Sequence, residues 1–63
     1  MQIERETLPA KVAAIAVRGS GRQLVVVQPA LSEPDAIRAA TLAIADMHER
    51  GRGVWGLALA SDL

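Results

Sequence analysis

Ser32-Glu33-Pro34-Asp35-Ala36-Ile37-Arg38-Ala39-Ala40-Thr41-Leu42-Ala43-Ile44-Ala45-Asp46-Met47-His48-Glu49-Arg50-Gly51 is the stretch on which the fold turns. Its first four residues stack helix-start signals: a hydroxyl for the N-cap, an acid three residues later, and a proline where the first turn tolerates one. At its far end Gly51 is the expected C-cap, and Arg50 sets a positive charge against the negative end of the helix dipole. The reading is a helix from about Glu33 to Arg50. At about 100° per residue, Ala36, Ile37, Ala40, Ala43, Ile44 and Met47 share one face, with Arg38, Asp46 and Glu49 turned away. That face is expected to pack on a sheet. Leu42 is expected on the outer side, where a lone exposed leucine needs no explanation.

Upstream, Lys11 to Arg18 is a short apolar run bounded by charges, and the β-branched Val12, Ile15 and Val17 favour a strand. Gly19-Ser20-Gly21 supplies glycines able to take the positive φ of a tight hairpin, and Gln23 to Gln28 is the clearest strand of the chain. Downstream, Val54 to Ala60 alternates large and small, with Trp55, Leu57 and Leu59 on one side and Val54, Gly56, Ala58 and Ala60 on the other. The expectation is a single α+β domain spanning residues 1–63 in the order β-β-α-β, one helix on a three-stranded sheet. The helical crossover is taken as right-handed, as such connections nearly always are. The last strand is expected beside the first, antiparallel to it. Residues 1–10 read as either an arm or a short edge strand.

With 63 residues, the chain is near the size where one core becomes marginal without disulfides, metal or association. There is no cysteine, so disulfides and thiolate metal sites are excluded. The apolar share is 51%, but it is built from Ala, Val, Leu and Ile with Trp55 as the sole aromatic, which makes thin, closely packed layers. Seven basic residues balance seven acidic ones, so the chain lacks the positive surplus of a dedicated nucleic-acid or anionic-membrane binder. No apolar run approaches the roughly 20 residues of a membrane-spanning helix. The opening Met1-Gln2-Ile3-Glu4-Arg5-Glu6 mixes both charge signs, unlike a secretory signal, and the expectation is a cytoplasmic protein.

All three expected strands are apolar on both faces, as strands buried on both sides are. One helix covers one face. The other would remain an exposed apolar patch of the kind that marks an interaction site, unless the N-terminal arm folds over it. A sheet face meeting its twofold copy, or one edge strand pairing with another, would close the gap. Trp55, Leu57 and Leu59 form the ridge assigned to that interface, the smaller residues of the same strand being suited to close approach of the helix.

Chemistry is sparse. His48 is the only histidine; it is placed near the helix's buried edge, as a hydrogen-bonded boundary residue, since metal sites gather several ligands. Asp46 and Glu49 flank it and read as solvated surface beside Arg50. Arg18 and Arg22 around the glycine loop, with Arg50 and Arg52 near the same end of the sheet, are the candidates for an anion or nucleic-acid contact, although the loop is neither a Walker nor a dinucleotide fingerprint. No catalytic residue, metal ligand or cofactor is expected.

From Leu8 through Gly51 the layout resembles the entry segment of ImmA/IrrE-type zinc metallopeptidases: a Leu-Pro pair (Leu8-Pro9), a hairpin, a Leu-Ser turn into a helix (Leu31-Ser32), then Ala40-Thr41-Leu42-Ala43. Those enzymes continue into His-Glu-x-x-His. Here the positions read Ile44-Ala45-Asp46-Met47-His48, so His48 matches the second ligand while Ile44 and Ala45 replace the first ligand and the general base. The resemblance implies a non-catalytic relative or a convergent β-β-α unit, and no protease, because zinc needs more than one histidine. The first functional reading is a small non-catalytic interaction or regulatory protein, a homo-oligomer or bound to a larger protein. The alternatives are a nucleic-acid-binding accessory protein whose dimer duplicates the arginine cluster, and an enzyme whose site is shared between subunits, drawing on His48, Asp46 and Glu49.

Overall fold

The computed structural model describes residues 2–63. Four strands and one helix make it up: β1 (Gln2–Arg5), β2 (Val12–Gly19), β3 (Arg22–Val27), α1 (Glu33–Glu49) and β4 (Trp55–Leu59), followed by a short 3-10 turn, Ala60–Asp62. The fold is α+β, as the patterning predicts, but the sheet has four strands rather than three, in the spatial order β1-β3-β2-β4. The added strand comes from the ambiguous opening residues. Gln2–Arg5 runs parallel to β3, with Ile3 opposite Val25. Polar composition hides such a strand from a hydropathy reading, and backbone pairing plus Arg5 hold it: the Arg5 guanidinium donates to the carbonyls of Leu31 at 2.8 Å and Pro29 at 3.2 Å. Met1 lies outside the described residues.

The hairpin forms where expected. Gly19 pairs with Arg22 across Ser20 and Gly21, whose φ values of 51° and 73° are both positive, as a two-residue I′ turn requires. Thus one of the two left-handed positions falls on Ser20 rather than Gly19. β4 lies antiparallel against β2, Ile15 opposite Leu57 and Val17 opposite Trp55, so α1 carries the chain from β3 over β2 to the far side of the sheet. A register shift between Val12 and Ala14 marks a bulge near the start of β2.

Ser32 caps α1, its Oγ accepting from the Asp35 N–H at 3.3 Å, and Pro34 sits in the first turn. Ser32→Ala is expected to cost about 1 kcal/mol, read as a lower denaturant midpoint; an unchanged midpoint would place the helix start elsewhere. At the other end the C-cap residue is Arg50, and the N–H groups of Arg50 and Gly53 close on the carbonyls of Asp46 and Met47. Gly51 follows the cap, but the left-handed residues are Arg52 and Gly53. What Gly51 supplies is room, because a Cβ there would fall 1.5 Å from the Trp55 carbonyl oxygen.

The core is an alanine layer. Ala36, Ala39, Ala40, Ala43 and Met47 of α1 meet Ala14, Ala16, Val25, Val27 and Ala58 of the sheet, all buried. This corrects the predicted helix stripe: Ala39 replaces Ile37, which is 54% exposed. The small residues bring helix and sheet so close that Met47 is the one large helix side chain held fully between them, beside Val25 and Val27 of the sheet, and Ile37 on the flank is left outside. Gly56 sets the spacing, since a Cβ there would stand 2.2 Å from the Met47 backbone nitrogen and 2.5 Å from the Ala43 carbonyl oxygen.

Candidate functional site

Strand alternation sends the residues between the buried ones to the face away from α1. On that face the registers line up two rows: Gln2, Leu24, Val17 and Trp55, then Glu4, Val26, Ile15 and Leu57. Six apolar side chains therefore form a continuous block over β3, β2 and β4, extended by Leu59, and no element among the described residues lies over it. Trp55 is 52% exposed, Val17 44% and Leu59 40%, far above what a monomer's core side chains show. The size ordering of β4 decides the sidedness: Gly56 and Ala58 are the only side chains of that strand small enough for a helix this close, so Trp55, Leu57 and Leu59 face outward.

The described residues of the opening segment do not cover this block. Residues 2–5 lie at the sheet edge, and the link that follows is pinned at one end of the sheet by Gln28, whose Nε2 donates to the Leu8 and Pro9 carbonyls at 2.6 and 2.9 Å and whose Oε1 accepts from the Leu8 N–H at 3.3 Å.

The β4 edge of the sheet is closed by carboxylates. Leu57 N–H points outward from β2 and donates to Asp46 Oδ2 at 3.0 Å, while Asp46 Oδ1 is paired with the Arg50 guanidinium. Leu59 N–H donates to Asp62 Oδ2 at 3.4 Å. A further strand adding there would have to displace both acids, which is how natural edge strands avoid indiscriminate pairing. A shallow groove of about 300 Å³ runs along this edge between Asp46, Arg50 and Gly51 on one side and Trp55, Leu57 and Leu59 on the other.

Asp46, read from sequence as solvated surface, is thus a structural link between helix end and strand edge. The Leu57 N–H, and secondarily the Arg50 side chain, hold its carboxyl below the usual carboxylate range. A depressed folded-state pKa stabilises the fold at pH values above the unfolded value, and that contribution disappears as pH falls through the folded one. Between about pH 5 and pH 2 the melting temperature of the wild type is therefore expected to fall more steeply than that of Asp46→Asn. Parallel curves would remove Asp46 from this role.

The other sequence candidates do not converge. His48 is exposed on the helix, not at its buried edge, because Met47 takes the inward position beside it. Glu49 is likewise exposed, and among the described residues no group of three or more His, Cys, Asp or Glu side chains is placed to hold a metal ion. Arg18, Arg22, Arg50 and Arg52 do share one end of the sheet, where the hairpin tip, the helix C-terminus and the start of β4 meet. They do not form one surface: Arg18 alternates with Ala16 on the helix side, where its guanidinium donates to Gln23 Oε1 at 3.2 Å, Arg22 alternates with Leu24 on the open side, and Arg50 is held by Asp46. Among the described residues no helix is long and apolar enough to cross a membrane. No family model, curated protein or solved structure matches the chain.

Proposed function

We propose that this chain is a small, non-catalytic interaction or regulatory protein whose working surface is the sheet face opposite α1, and that it acts as a homo-oligomer or bound to a larger protein. One observation carries the reading: Ile15, Val17, Leu24, Val26, Trp55 and Leu57 form a contiguous apolar block that no element among the described residues covers. Soluble domains bury such blocks, and a domain of this size gains stability by doing so against another chain. The cysteine-free sequence suits the cytoplasm, where disulfides are not relied on. The likeness to the ImmA/IrrE entry segment belongs to the same reading. With Ile44 and Ala45 in place of ligand and base, a relative of that layout would serve here as a binding unit without zinc chemistry.

Light scattering over a dilution series tests it. The expected result is a molar mass above that of one chain at high concentration, falling on dilution. A single-chain mass throughout overturns self-association, and tight retention of DNA or RNA that weakens with salt would instead assign the arginine end as the working surface.

A further inference from the structure

We infer that the occupant of the open face is a second copy of the chain, related by a twofold axis that crosses the strands between the two rows, so that each row lies on the other row of the second copy. This rests on the open face being the working surface, and it adds the identity and register of what covers it.

The argument is the placement of polarity. The face has three apolar columns, Leu24/Val26, Val17/Ile15 and Trp55/Leu57, and one polar column at its β1 edge, Gln2/Glu4. Two sheets stacked face to face about a twofold can have that axis either along the strands or across them. An axis along the strands exchanges left and right: it sets the polar column of each copy on Trp55 and Leu57 of the other and buries the Glu4 carboxylate against hydrocarbon, without a partner. An axis across the strands returns every column to itself. Trp55 then meets Leu57 of the second copy, Val17 meets Ile15, Leu24 meets Val26, and Gln2 meets Glu4. The last pair can hydrogen-bond, as the same two side chains already do within the chain, Gln2 Nε2 donating to Glu4 Oε2 at 3.2 Å. An axis along the strands escapes that burial only by shifting onto β2, which leaves the β1 column outside the contact; all four columns are matched in the across-strand arrangement alone.

Edge pairing at β4 competes poorly with stacking, because Asp46 and Asp62 occupy the outward N–H groups of Leu57 and Leu59. The stacked contact is also small. Four strands about 4.8 Å apart and about 17 Å long give roughly 300 Å² of flat footprint per copy, which stays toward the low end of specific interfaces after side-chain relief is added. The pair is therefore expected to dissociate on dilution rather than to persist as an obligate dimer.

The chain has no cysteine, so one introduced thiol carries one nitroxide label. Ser20→Cys at the hairpin tip and Ala10→Cys near the opposite end are both exposed positions outside the block. With the axis across the strands, the two labels of a pair sit at opposite ends of the sandwich, on the order of 30 Å apart; with the axis along the strands they come within about 15 Å. Distances are measured by pulsed electron paramagnetic resonance at a concentration where light scattering shows assembly. Long distances at both sites are the expected result. A short distance at either site overturns the register while leaving the open face as the working surface. A single-chain mass at every concentration overturns the second copy as the occupant and leaves a larger protein as the partner of the open face.

Discussion

Gly56→Ala is expected to lower the stability of the fold by about 3 kcal/mol or more. The added methyl would stand 2.2 Å from the Met47 nitrogen and 2.5 Å from the Ala43 carbonyl oxygen, and both are helix backbone, which cannot rotate aside as a side chain would. The helix has to lift off the sheet by about 1 Å, and an interior of alanines has no long side chains to fill the gap that opens. Domains of this length hold only about 3–9 kcal/mol in all, so much of the population is expected to unfold at ambient temperature. Urea titration followed by circular dichroism reads the effect. Gly19→Ala is the control: nothing lies within 4 Å of its added Cβ and its φ is not positive, so its midpoint should match wild type. A wild-type midpoint for Gly56→Ala would mean that α1 does not rest on β4 here.

Leu57→Glu is expected to abolish association while leaving the secondary structure in place. In the single chain Leu57 is half-buried on the open face, and a glutamate there can reach water. In the stacked assembly the same carboxylate would be desolvated without a partner, a cost of several kcal/mol that exceeds what a small contact supplies. The variant should show a single-chain mass at concentrations where wild type assembles, with an unchanged far-ultraviolet spectrum. Ala45→Glu, exposed on the helix, should assemble as wild type does. If Leu57→Glu and Leu59→Glu both keep the wild-type molar mass, the open face is not where copies meet, and the stacked pair falls with it.

Much of this architecture was legible along the chain because it depends on short-range signals. Ser32, Pro34 and the acids beside them announce α1 through capping chemistry that needs only neighbouring residues, and the Gly19-Ser20-Gly21 turn announces the hairpin through φ alone. The alternation in β4 likewise divided Trp55, Leu57 and Leu59 from Gly56 and Ala58 before any fold was in view. β1 stays undecided between arm and edge strand in the sequence because a four-residue polar edge strand is held by backbone pairing to a distant partner, which leaves no periodic trace.

What the sequence by itself determined, then, was the kind of each central element and the two-sided apolarity of its strands, since capping, turn geometry and period-two patterning are local. In β4 the residue sizes also pointed to the side; for β2 and β3 only the tertiary structure decided which side was which. The approach distance of α1, limited by the backbone contact at Gly56, gave the small residues to the helix and left the large ones uncovered. The same proximity drew Asp46 from the helix end to the free N–H of Leu57, eleven residues away, and placed Ile37 outside a layer too thin to hold it. These outcomes depend on the separation between two packed surfaces, a quantity that no stretch of sequence contains.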